Sequence, residues 1–169
     1  MAESHTSVPK WDATPPAVDD TGTSYAVLGF GEDGGAVASA WVAELGAGRP
    51  VWVRYADGAD DTTLSALREQ LRAARVGWRL LLAGPEADVL LARSVALGHG
   101  AVPAEIRAHA TSTALKRVHC PHCKETTLAG CAVGETFGCR GCGCTLVIHH
   151  HVSRRGSAYL GYMADAEAV

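Results

Sequence analysis

The chain has 169 residues, 47% of them hydrophobic, with 15 basic and 18 acidic side chains and a net charge of −3. No apolar run approaches the roughly 18 residues of a membrane helix, and no charged-then-apolar stretch opens the chain, so neither a span nor a leader is expected and a cytoplasmic location follows. All six cysteines fall between Cys120 and Cys144, which points to metal chemistry and excludes a disulfide framework spread over a secreted fold.

Residues 1–23 carry Pro9, Pro15 and Pro16, several Ser and Thr, and Trp11 as the one large apolar group. So little apolar surface cannot offset the entropy of ordering, and a flexible arm is expected. Residues 24–114 then alternate strand and helix. Tyr25–Leu28 reads as a strand, followed by a helix from about Ala36 to Leu45 with Val37, Trp41 and Leu45 as its apolar stripe. Val51–Tyr55 is a second strand. Asp60, Asp61 and Thr62 offer caps to a helix whose Leu64, Leu67, Leu71 and Ala74 face inward. Trp78–Ala83 is a third strand; Pro85 suits the first position of the next helix, which Glu86 and Asp88 favour at its positive end and Gly98 stops. A fourth strand is expected near Ala104–His109. The predicted class is α/β: a small parallel sheet with flanking helices, plus a C-terminal zinc ribbon.

The ribbon occupies residues 115–163. Cys120-Pro-His-Cys123 and Cys139-Arg-Gly-Cys142 are two C-x2-C pairs separated by 15 residues. Each two-residue spacer lets a tight knuckle aim both sulfurs at one ion, and four thiolates close a tetrahedron without an open position, so a structural zinc is expected. Iron in the same cage would give a rubredoxin-like carrier; the absence of an aromatic shell around the knuckles favours zinc. Cys131 and Cys144 read as bystanders packed as small hydrophobes. Thr145–Val152 is a strand on which Leu146, Ile148, His150 and Val152 share one face and Val147, His149 and His151 the other, followed by a turn at Ser153–Gly156 and a strand to Tyr162. The expected sheet is antiparallel.

Two further signals sit outside the knuckles. Gly29-Phe-Gly31-Glu-Asp-Gly34 fits G-x-G-x-x-G between a strand and a helix, with Asp57 near the place of a ribose-binding acid. Glu32 and Asp33 would repel a pyrophosphate there, so a structural turn is the favoured reading. The run His149-His150-His151 reads as a solvated edge, with no acid nearby in sequence to complete a ligand set. Between Leu115 and Met163 six basic side chains face two acids, so this segment carries +4 and the remainder −7. That charge allows a nucleic-acid-binding ribbon, but Phe137, Tyr159 and Tyr162 are few stacking groups for that role. A free-standing NAD(P)-binding or rubredoxin-like electron carrier is the other alternative.

Val53-Arg-Tyr-Ala-Asp-Gly58, Leu82-Ala-Gly-Pro-Glu-Ala-Asp88 and Gly100-Ala-Val-Pro-Ala-Glu-Ile106 resemble the nucleotide-binding domain of ferredoxin reductases, with Ala83 where that family has cysteine. More extensively, from about Tyr25 to Tyr162, the chain resembles the small DmmA-type subunit of dimethylamine monooxygenase. The resemblance rests on Leu28–Gly35, Gly77–Pro85, His119–Cys123, His151–Arg155 and Ala158–Gly161. It implies an accessory subunit of an NADPH- and O2-dependent enzyme that converts dimethylamine to methylamine and formaldehyde. NADPH, flavin, iron–sulfur or haem would then lie on partner subunits, and no catalytic residue is assigned here. Of this chain's residues, Cys120, Cys123, Cys139 and Cys142 are the expected metal ligands.

Overall fold

The computed structural model describes residues 7–164. They form two compact units, one spanning Trp11–Thr113 and the other joining residues 7–10 to residues 114–164. No helix among the described residues is long and apolar enough to cross a membrane.

In the first unit β1 (Ser24–Phe30), β2 (Val51–Ala56), β3 (Trp78–Pro85) and β4 (Ile106–Ser112) lie in the order β2-β1-β3-β4, every neighbouring pair parallel. The central strands β1 and β3 are almost wholly buried, as their near-continuous apolar sequence requires when both faces are covered. Helix α1 (Gly31–Leu45) covers one face through Ala38 and Trp41 against Tyr25, Val27, Leu81 and Ala83. Helices α2 (Asp61–Ala73) and α3 (Glu86–Gly98) cover the other, where Leu64, Leu67, Val89 and Ala92 meet Ala26, Leu28, Leu80 and Leu82. The expected α/β class is what the chain forms. Asp60 is the cap of α2, accepting from the Thr63 N–H at 2.7 Å. Pro85 sits one place earlier than expected, as the residue before α3, and Asp88 reaches back to the Ala59 N–H at 2.8 Å.

Helix α1 starts at Gly31, well before the Ala36 read from the sequence. Glycine disfavours a helix interior, but here close packing outweighs propensity. A Cβ on Gly34 would lie 2.6 Å from the Ala83 carbonyl oxygen, and one on Gly29 would lie 2.7 Å from the Gly34 carbonyl oxygen. The first turn of α1 therefore seats directly on β1 and β3.

Residues 11–23, expected as part of a flexible arm, lie along this unit. The Trp11 indole N–H donates to Glu86 Oε1 at 2.8 Å, the Trp41 indole N–H to the Pro16 carbonyl at 2.9 Å, and Arg79 Nε meets Asp19 Oδ2 at 2.7 Å. Each contact satisfies a group that the unit buries or half-buries: Glu86 is 1% exposed, Trp41 3%. That need is invisible in the composition of the arm itself. The side-chain bond from Thr21, with Arg79 beside it, holds the Asp19 carboxyl well below the usual carboxylate range.

The second unit is a five-stranded sheet of β5 (Lys116–His119), β6 (Thr126–Ala129), β7 (Thr136–Gly138), β8 (Thr145–Ser153) and β9 (Ala158–Met163), ordered β6-β5-β9-β8-β7. Three pairs are antiparallel, as expected, but β5 and β9 run parallel, Val118 opposite Tyr159. The 15 residues between the knuckles do not fold onto each other; β6 and β7 go to opposite edges. Gly161 lets β9 fit between its neighbours, since a Cβ there would lie 3.0 Å from the His119 carbonyl oxygen and 3.1 Å from Leu146 Cδ1. Along β8 the register shifts between Ile148 and Val152, which pair with Gly161 and Tyr159 respectively. Two surplus residues therefore bulge out at the three histidines, so Leu146, Ile148 and Val152 stay buried while His150, expected on their face, is exposed.

Candidate metal centre

Each knuckle follows from the strand that precedes it. Strand β5 delivers Cys120 to the sheet end, the Lys124 N–H donates to the Cys120 carbonyl at 3.0 Å, and the Cys120 N–H donates to the Glu125 carbonyl at 2.8 Å. The second knuckle repeats this residue for residue: the Gly143 N–H donates to the Cys139 carbonyl at 2.9 Å, and the Cys139 N–H to the Cys144 carbonyl at 2.9 Å. The residue after the second cysteine is left-handed in both, Lys124 with φ 68° and Gly143 with φ 73°.

The two knuckles bring all four sulfurs within 4.8 Å of one another. Cys120 Sγ lies 3.8 Å from Cys142 Sγ, and Cys123 Sγ 3.6 Å from Cys139 Sγ. A tetrahedron of thiolates at about 2.3 Å from a central ion has edges of about 3.8 Å. The sulfurs thus stand where a tetrahedral ion needs them, and the cluster can hold a metal. Cys120 and Cys139 are buried, Cys123 and Cys142 partly so. Phe137, Leu146 and Met163 pack against them, so one aromatic ring does adjoin the cluster.

The backbone is arranged for thiolates. The Cys142 N–H, helped by that of Gly141, lowers the Cys139 thiol to about 6 against the cost of desolvation. The Glu125 N–H also favours a Cys123 thiolate, but burial and the adjoining sulfurs of Cys139 and Cys120 outweigh it and push that thiol up. At Cys142 the Cys144 N–H is outweighed in the same way, by burial and the sulfurs of Cys144, Cys139 and Cys123.

Three contributors escaped the sequence reading. Gly141 is required because a Cβ there would lie 2.9 Å from Cys123 Sγ and from Glu125 Cβ; the glycine inside C-R-G-C was the available signal. Thr127 supports Cys139, its hydroxyl directed to that sulfur at 3.9 Å while accepting the Arg140 N–H at 3.1 Å. Nothing in the sequence marks it. Cys144, expected as a bystander, has its sulfur within 4.8 Å of Cys142 Sγ and a ring nitrogen of His122.

The other candidates are not among the residues of this cluster. Gly29 and Gly34 are accounted for by the packing of α1, Gly31 has φ 67° and open space around it, and Glu32, Asp33 and Asp57 are exposed. His149 stacks edge-on against Tyr162 with ring centroids 5.6 Å apart, and His151 Nδ1 lies 2.9 Å from Ser7 Oγ.

Fold and cluster together define a class: a small parallel α/β unit followed by a ribbon carrying four convergent cysteines. Residues 117–162 match the family model described as dimethylamine monooxygenase subunit DmmA-like, C-terminal domain. Over 104 residues the chain is 36% identical to the heme-dependent oxidative N-demethylase delta subunit of Ectopseudomonas mendocina (strain ymp), an alignment covering 60% of this chain and 57% of that one. No solved structure matches. The resemblance to a DmmA-type subunit, drawn from short motifs, is borne out by both comparisons.

Proposed function

We propose that this chain is an accessory subunit of a multicomponent oxidative N-demethylase that uses NADPH and O2 to convert dimethylamine to methylamine and formaldehyde in the cytoplasm. The observation that carries this reading is the coincidence of the DmmA-like match over residues 117–162 with the tetrahedral placement of Cys120, Cys123, Cys139 and Cys142. Those four cysteines hold a structural zinc, which when bound supplies folding free energy to a ribbon with a small apolar core. Haem, flavin, iron–sulfur and NADPH belong to the partner subunits. The turn at Gly29–Gly34 is a packing device, and the chain binds no dinucleotide by itself. Its own residues dock and orient those partners. The exposed β8–β9 turn with Arg154 and Arg155, next to His149 and His151, presents the ribbon's positive charge to an acidic partner face.

The test is co-expression of a tagged copy with the haem-bearing and reductase subunits, followed by metal analysis and assay of NADPH-dependent formaldehyde release from dimethylamine. A complex that retains this chain and needs it for full turnover is expected. A partner complex that assembles and turns over equally well without it would refute the proposal.

A further inference from the structure

The geometry points to a second metal position on the ribbon, formed by His122, Cys142 and Cys144 and suited to a thiophilic divalent ion such as zinc. It rests on the reading of the four cysteines as a metal centre, with which it shares the Cys142 sulfur. A ring nitrogen of His122 and the sulfurs of Cys142 and Cys144 all lie within 4.8 Å of one another. Zinc bound by two sulfurs and an imidazole needs ligand atoms about 3.6–3.8 Å apart. Rotation of the His122 ring, which is exposed, together with a small movement of the half-buried Cys144 side chain closes that gap.

The three ligands come from both knuckles, and their placement follows from the turns already described. His122 lies in the spacer of the first knuckle, Cys142 ends the second, and Cys144 comes directly after the left-handed Gly143. Two sulfurs and an imidazole select zinc or cuprous copper over the hard cations magnesium and calcium. A dication in the four-cysteine cage leaves that cage at −2, and a thiolate sulfur has lone pairs enough to bridge two ions. A second dication beside the cage is attracted by that remaining negative charge. The Cys144 sulfur, already set beside Cys142 Sγ, is placed to share that ion.

This position differs from the first in kind. The tetrathiolate cage is closed, whereas His122, Cys142 and Cys144 leave a fourth coordination place for water or for a small thiolate or imidazole donor. The ion there is exchangeable, and the ion in the cage is not.

The experiment uses the full chain, stripped of metal under reducing conditions and titrated with Zn2+ against a chromophoric chelator, with Co2+ as a spectroscopic probe. The parent should take two equivalents, the second at least tenfold weaker and the first to be removed by chelator. Its second cobalt equivalent should add thiolate-to-metal absorption. Cys144→Ser combined with His122→Ala should take one equivalent with the first affinity and the circular dichroism unchanged. One equivalent in the parent would overturn the second position and leave the four-cysteine centre standing. Zero equivalents would overturn both. Two equivalents surviving in the double variant would place the extra ion elsewhere, for example on His149–His151, and would also overturn it.

Discussion

Two substitutions separate steric from conformational control of the knuckles. Gly141→Ala puts a methyl group where Cys123 Sγ and Glu125 Cβ already stand, so the knuckles must part by a few tenths of an ångström. Overpacking of that kind costs about 1–3 kcal/mol, and chelator competition should show zinc held about ten- to a hundredfold more weakly. An unchanged affinity would mean that the second knuckle is more pliable than its hydrogen bonds imply. Lys124→Gly works in the opposite direction. Lys124 occupies the left-handed place that glycine fills in the other knuckle, at a strain of about 1 kcal/mol, so the variant should unfold later in denaturant. A loss of stability instead would show that the 2.6 Å bond from Lys124 Nζ to the Pro121 carbonyl outweighs the strain. The cysteine spacing was fully legible at this scale, because ligand chemistry dictates residue type. The supporting Gly141 and Thr127 were not read, since their roles depend on which atoms two distant turns bring together.

The elements were read best where one physical requirement set the pattern. Strands β1 and β3 announced themselves as unbroken apolar runs, and the second helix by its capped, periodic leucines. The start of α1 was misplaced because glycine's helix cost is local while the benefit of Gly34 against β3 is tertiary. The arm, expected to be flexible, was read from its own composition, in which the bond from Trp11 to Glu86, far along the chain, leaves no mark. Strand β8 was found and its histidine run read as a solvated edge, but strict alternation placed His150 on the face of Leu146, Ile148 and Val152; a two-residue bulge preserves parity for Val152 and expels the histidines. Removing His149 and His150 together should therefore close the bulge and leave Leu146, Ile148 and Val152 on the core face. We expect zinc content to be retained and stability to change by less than about 1 kcal/mol, within the range of surface changes and small register repairs. Loss of the folded ribbon, seen by circular dichroism of the zinc-loaded chain, would show that the bulge is itself required.

At the scale of the whole molecule, each unit has its own core, and the four-cysteine cluster belongs to one of them. Cys139→Ser should release the metal and unfold residues beyond Val118, because structural zinc supplies on the order of 10 kcal/mol to such a ribbon. Hydrogen exchange should show protection kept in β1 and β3 and lost in β5 to β9; exchange that rises in both units alike would contradict this. One equivalent of iron in the parent, with the red colour of an iron–thiolate centre, would displace zinc. Arg154→Glu with Arg155→Glu should leave the isolated chain folded but slow its association with partner subunits, the difference shrinking as salt screens the charges. Equal association rates at low ionic strength would remove the turn from the interface. The order of strands in the ribbon has a consequence for its assembly. The four-cysteine cluster joins the hairpin of β5 and β6 to that of β7 and β8, and both precede β9 in the chain, yet β9 lies between them. The clasp can therefore shut while the centre of the sheet is still unfilled. Until Ala158–Met163 docks, the edges of β5 and β8 face a slot one strand wide, open to any extended segment that reaches it first. The ribbon is thus vulnerable to a stranger's strand whenever β9 is out of its slot.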